Sequence, residues 1–192
     1  MKKISLIPLI MFVLFLFAAC STPPTEDMER AYDAVTRAEN DTNAVAFASN
    51  ILVLARDALT RMQNEADAKR YDSAKIYAAE AILHAERAIT EGKTNTGRAK
   101  SEAENMVNSL ARPLAETANS LETAWQEEKL RLNLPALTAD METANNTYNN
   151  ARENLQNERY NETISQCQTV RSLLAGINAS LTDEVQAVSR KK

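Results

Sequence analysis

Apolar residues recur along this chain at spacings of three, four and seven, the mark of helices that each bury one stripe. From Thr25 onward a seven-residue spacing links Ala31, Ala38, Val45, Leu52, Leu59 and Ala66. A companion row three residues further on, Ala34, Ala48, Ala55 and Met62, fails only at Asp41. The phase survives Asn40-Asp41-Thr42-Asn43, so the pattern predicts one long helix over 25–68, with those poor helix formers as the alternative site of a loop. Thr25 stands where a cap belongs, with Glu26, Asp27 and Glu29 at the positive helix end. After Lys69-Arg70-Tyr71-Asp72, an alanine seam of Ala74, Ala78, Ala81, Ala85 and Ala88 begins a second helix, predicted from 72 to about 111. Asp72 is expected to cap it and Tyr71 to staple onto Ile76. Gly92 and Gly97 weaken its middle.

A shift of 89 residues repeats this arrangement. Leu52, Ala55, Leu59, Met62 and Ala66 fall on Met141, Ala144, Tyr148, Ala151 and Leu155. Arg70-Tyr71 falls on Arg159-Tyr160, and the alanine seam falls on Thr163, Cys167, Val170, Leu174 and Ile177. Each turn therefore reads as the tip of a helical hairpin, and the chain as a structural repeat. Pro113 is the expected boundary, because it cannot donate a helical hydrogen bond. Beyond it, Leu114–Leu132 reads as helix, Asn133-Leu134-Pro135 as a break, and 161–188 as the last helix; Trp125, beside Glu127-Glu128, is favoured as a core anchor over an exposed contact.

Composition agrees with the periodicity. Three glycines and five prolines in 192 residues, with sparse aromatics, favour an all-α fold. Net charge is −4, or about −6 once Lys2 and Lys3 are removed with residues 1–19. The charges are interspersed, with no basic stripe of the kind that tracks nucleic acid, so no nucleic-acid partner is expected.

The N-terminus is an address. Met1-Lys2-Lys3 precedes an apolar run from Ile4 to Ala19, too short for a spanning helix and interrupted by Pro8. It ends in Leu16-Phe17-Ala18-Ala19-Cys20. This resembles the lipobox of bacterial lipoproteins, with Phe17 where that family usually has Leu. The resemblance implies cleavage after residue 19, acylation of Cys20 and attachment to the membrane through several acyl chains, enough for stable anchoring. Ser21 after the Cys resembles the outer-membrane class of the enteric sorting rule, with the protein facing the periplasm. Residues 20–25 then form a lipidated Cys and a short Pro linker reaching roughly 15 Å, which keeps the folded part close to the bilayer.

Within 28–89, Ala31, Ala38, Ala55, Leu59, Ala66, Tyr71, Ala74, Ala78, Ala81 and Ala85 resemble domain-of-unknown-function family 4398, found in bacterial envelope proteins. Lys69-Arg70 replaces the Gly-Asp that commonly precedes the turn Tyr in that family. The resemblance implies a helical fold and an envelope location, and brings no catalytic residues.

Chemistry-bearing side chains are few. Cys167 is the single Cys left after Cys20 is acylated, so no intramolecular disulfide forms in the mature chain, and its seam position predicts a buried thiol. His84 is the only His, too few for a zinc site, and is expected at the seam edge. No nucleophile–base arrangement, phosphate-cradling glycine loop or carboxylate pair in apolar surroundings is present, so no cofactor, no metal and no enzymatic activity are expected. Arg70, Tyr71, Arg159 and Tyr160 are candidate partner contacts at the hairpin turns, with turn packing as the simpler role. Ser189-Arg190-Lys191-Lys192 resembles the lysine-ended tail of the small murein-linked envelope lipoprotein, implying peptidoglycan as a further partner. A solvated helix end is the simpler reading.

The sequence thus predicts a signal peptide (1–19), a lipidated linker (20–25) and two long antiparallel helical hairpins (26–112 and 113–192). The hairpins pack as a four-helix bundle, large seam residues of one against small ones of the other, or lie end to end. The expected function is non-enzymatic scaffolding in the envelope, through binding another envelope protein or a second copy. The alternative is a module that binds a lipid or peptide in a groove between the hairpins.

Overall fold

The computed structural model describes residues 23–127 and 132–189, and every regular element among them is helical. In chain order these are α1 (Thr25–Asn40), α2 (Thr42–Phe47), α3 (Ser49–Asp67), α4 (Tyr71–Gln126), α5 (Leu134–Gln156) and α6 (Tyr160–Ser189). The fold is all-α. None of these helices is long and apolar enough to cross a membrane. The expected signal peptide (1–19), Cys20 and the basic tail Arg190-Lys191-Lys192 lie outside the described residues.

The chain divides into two compact units between Lys93 and Thr94, not at Pro113. Met106, Val107 and Leu110, all N-terminal to the proline, are buried with Leu114 and Leu121 in the second core. Pro113 lies inside α4 without ending it. The hydrogen bond it removes is one among many, and buried leucines on either side hold the helix in place.

The first unit departs from the predicted hairpin. Residues 25–67 form no single helix: the chain bends between Asp41 and Ala48, and α3 returns along α1. Tyr32 Oη donates to Gln63 Oε1 at 2.6 Å and Arg56 Nε to Glu39 Oε1 at 2.6 Å, pairs that converge in sequence on the bend. Asp41 caps the short α2, its Oδ1 accepting from the Ala44 N–H at 2.8 Å. Reversal changes the buried phase, so Ala44 and Ala48 are enclosed while Val45, expected on the seam, is 48% exposed. Local preference at Asn40–Asn43 outweighed the continuous heptad, because a stripe of alanines gains little by staying straight.

The start of α4 completes the first unit. Ala78, Ala81, Ala85 and Ala88 share one core with Ala31, Ala34, Ala38, Leu52, Ala55 and Met62. Gly92 is no weak point. A Cβ there would sit 2.6 Å from the Ala44 backbone nitrogen and 2.7 Å from the Asn43 carbonyl carbon, so the glycine exists for close approach. Ile76 is 60% exposed and makes no staple.

In the second unit α4 supplies the first helix. Antiparallel α5 is tied to it by Tyr148 Oη donating to the Val107 carbonyl at 3.2 Å. Asn133 caps α5 through the Ala136 N–H, with Pro135 in the first turn where its missing donor costs nothing. α6 runs parallel to α4, joined by Arg171 Nη2 to Ser109 Oγ at 3.1 Å and Asn178 Nδ2 to Thr117 Oγ1 at 2.9 Å. The last bond satisfies the buried Thr117 hydroxyl. Val170, Leu174 and Ile177 cluster with Met106, Leu110 and Met141, not with the alanine seam. Each unit thus has a buried cluster of its own.

The 89-residue repeat holds pair by pair. Ala55 and Ala144, Met62 and Ala151, Ala74 and Thr163, Ala78 and Cys167, Ala81 and Val170, Ala85 and Leu174, and Ala88 and Ile177 are all buried. Leu59 and Tyr148, like Ala66 and Leu155, are half-buried in both copies.

Candidate functional site

The turns foreseen as contact points are built alike. Lys69 and Glu158 hold left-handed φ values of 58° and 59°. The Arg70 N–H bonds the Glu65 carbonyl at 2.8 Å and the Lys69 N–H bonds that of Ala66 at 2.9 Å. Arg159 to Asn154 at 2.9 Å and Glu158 to Leu155 at 3.2 Å repeat the pair. This is a Schellman close, which satisfies carbonyls the helix end would otherwise orphan. Arg70 stands at the cap position just before α4, its carbonyl accepting from the Ala74 N–H, so the cap lies two residues before Asp72.

Side chains at the two turns differ. Tyr160 is buried, Tyr71 half-buried, and Arg70 and Arg159 are exposed. Tyr160 therefore serves packing and is closed to a partner. The Arg70 fork engages Glu65, Nη2 lying 2.8 Å from Oε1 and Nε meeting Oε2. That hydrogen bond holds the Glu65 carboxyl below its ordinary range. The pair's small surface contribution is thus present above the ordinary carboxylate pKa and fades as pH falls through the depressed value.

Cys167 is a free, buried thiol, and desolvation pushes its pKa up, opposed in part by Arg171. It is an inert packing residue by that environment. His84 is half-buried with its Nδ1 enclosed and without a hydrogen-bond partner. Among the described residues no group of three or more His, Cys, Asp or Glu side chains converges as metal ligands.

Trp125, favoured for the core with an exposed contact as the alternative, is 54% exposed on α4. Its Nε1–H donates to Thr138 Oγ1 of α5 at 3.2 Å, which pins the indole across the two helices. Beneath it lies an open cleft of about 570 Å³ lined by Leu121, Glu122, Trp125, Thr138, Met141 and Glu142. Leu121 and Met141 are almost fully buried and form the apolar floor. Leu121 and Ala124 carry the buried stripe there. That leaves Trp125 just past the stripe's edge, and the stripe's phase was the available signal.

Residues 26–106 match the family described as Domain of unknown function (DUF4398). The match spans every helix of the first unit and the start of the second, further than the 28–89 that the seam residues suggested. The Gly typical of that family before the turn Tyr falls at Lys69, the left-handed position, which gives its glycine a conformational reason. Comparison with curated proteins and with solved structures finds no match.

Proposed function

We propose that this chain is a bacterial envelope lipoprotein, anchored through acyl chains on Cys20, whose helical units bind another envelope component without catalysing a reaction. The observation that carries the binding role is Trp125. A half-open indole, hydrogen-bonded across two helices above an apolar floor, has the make-up of an interface anchor. The anchoring role rests on the lipobox-like Leu16–Cys20 and on Ser21, which supports the outer-membrane, periplasm-facing branch of the sorting rule. The start of α1 at Thr25, five residues beyond Cys20, agrees with a short tether. Within the first unit, the Lys69–Tyr71 turn lies at the same end as Thr25, because α3 runs antiparallel to α1. Arg70 and Tyr71 would then face the bilayer side.

Two measurements test this reading. Cys20→Ala is expected to move the protein from the membrane to the soluble fraction, and retention in the membrane would remove the lipid anchor. Photo-crosslinkers at Tyr71, Leu83 and Asn145 in living cells are expected to give discrete adducts. Adducts at twice the protein's mass would identify self-association, and no adduct from any position would overturn the binding role.

A further inference from the structure

We infer that the Trp125 cleft receives an arginine- or lysine-bearing stretch of a partner polypeptide. The inference deepens the proposed binding role by naming the chemistry of the partner.

The cleft is lined by α4 from Ala118 to Trp125 and by α5 from Thr138 to Asn145, about 10 Å of groove on each helix. Its floor is apolar and one wall is the indole. Glu122 and Glu142 stand on opposite helices, both exposed, and neither joins an ion pair among the described residues. An aromatic ring flanked by two unpaired carboxylates suits a cation on an aliphatic stem. The stem covers the floor, the charge meets the indole and the carboxylates close on it.

The surroundings point the same way. α4 carries no Lys or Arg after Arg112, α5 none before Arg152 and α6 none after Arg171. The same stretches hold Glu122, Asp140, Glu142 and Asp183, besides Glu116, which Arg112 engages. Among the described residues this end of the second unit carries acidic side chains only, a field that draws basic segments. The nearest basic residues in sequence, Lys129, Arg131 and Arg190, lie outside the described residues. Openness decides the kind of occupant. A small free amine would be poorly enclosed in so shallow a cleft, whereas a polypeptide makes further contacts along the groove.

Trp125 is the chain's only Trp, so its emission reports the site directly. The full lipidated protein in detergent is titrated with a short peptide alternating serine and arginine, and with its glutamine counterpart. The expected result is a saturable change with the arginine peptide only, weakened by salt. The Glu122→Gln/Glu142→Gln variant is expected to bind at least tenfold more weakly while keeping the wild-type helical spectrum and melting temperature. An equal response to the glutamine peptide, or unchanged affinity in the double variant, would overturn the inference. So would binding that emerges only in Lys129→Ala/Arg131→Ala, since the chain's own loop would then be the occupant. Crosslinks in cells from Tyr71 or Leu83 without any peptide response would leave the binding role standing and reject this cleft.

Discussion

Lys69 and Glu158 each occupy a left-handed backbone position that glycine adopts without steric cost. Replacing either by Gly is therefore expected to stabilise the protein by about 0.5–1 kcal/mol, read as a higher denaturant midpoint at unchanged slope. A lower midpoint would mean that the side chains contribute more than the strain costs. The helical glycines divide by what surrounds them. Gly97 has open space, and Gly97→Ala is expected to stabilise by about 1 kcal/mol through helix propensity. Gly92→Ala would drive a methyl group into the Asn43–Ala44 backbone and is expected to cost about 1–3 kcal/mol. Equal effects of the two substitutions in thermal melts would contradict the close packing of α2 on α4. The sequence showed three glycines in helical patterns, yet only the neighbours of each decide its sign.

Among the elements, α4 and the α1–α3 reversal depart most from their sequence patterns. Pro113 sits in the interior of α4, where it forfeits the bond to the Ser109 carbonyl. Pro113→Ala is expected to stabilise the second unit by up to about 3 kcal/mol, seen as a raised midpoint of Trp125 fluorescence. Destabilisation would show that the ring itself packs against its surroundings. At 40–48 the heptad remained in phase while the chain turned back, because a pattern of small residues fits two packings equally well. Nothing in periodicity separates a straight helix of alanines from a helical reversal. What distinguishes them is whether α3 finds α1 beside it. The pairs Tyr32–Gln63 and Glu39–Arg56 record that it does.

For the whole molecule, the two buried clusters share no residue. Met62 is fully enclosed in the first, and Met62→Ala is expected to remove about 2–5 kcal/mol from it. Far-ultraviolet circular dichroism, which sees both units, should then broaden or shift to lower denaturant, while Trp125 emission, which sees the second, moves less. Equal shifts by both probes would show that the units unfold as one.

By itself the sequence determined the helical class, the tip-to-tip repeat at 89 residues and the buried partners on either side of each turn. These depend on local spacing, which a linear pattern carries in full. Only the tertiary structure decided that α3 turns back along α1, that α4 runs through Pro113, that Tyr160 is closed and that Trp125 stands open over a cleft. Those outcomes turn on which helix lies against which, and alanine stripes, compatible with several neighbours, leave that choice to packing.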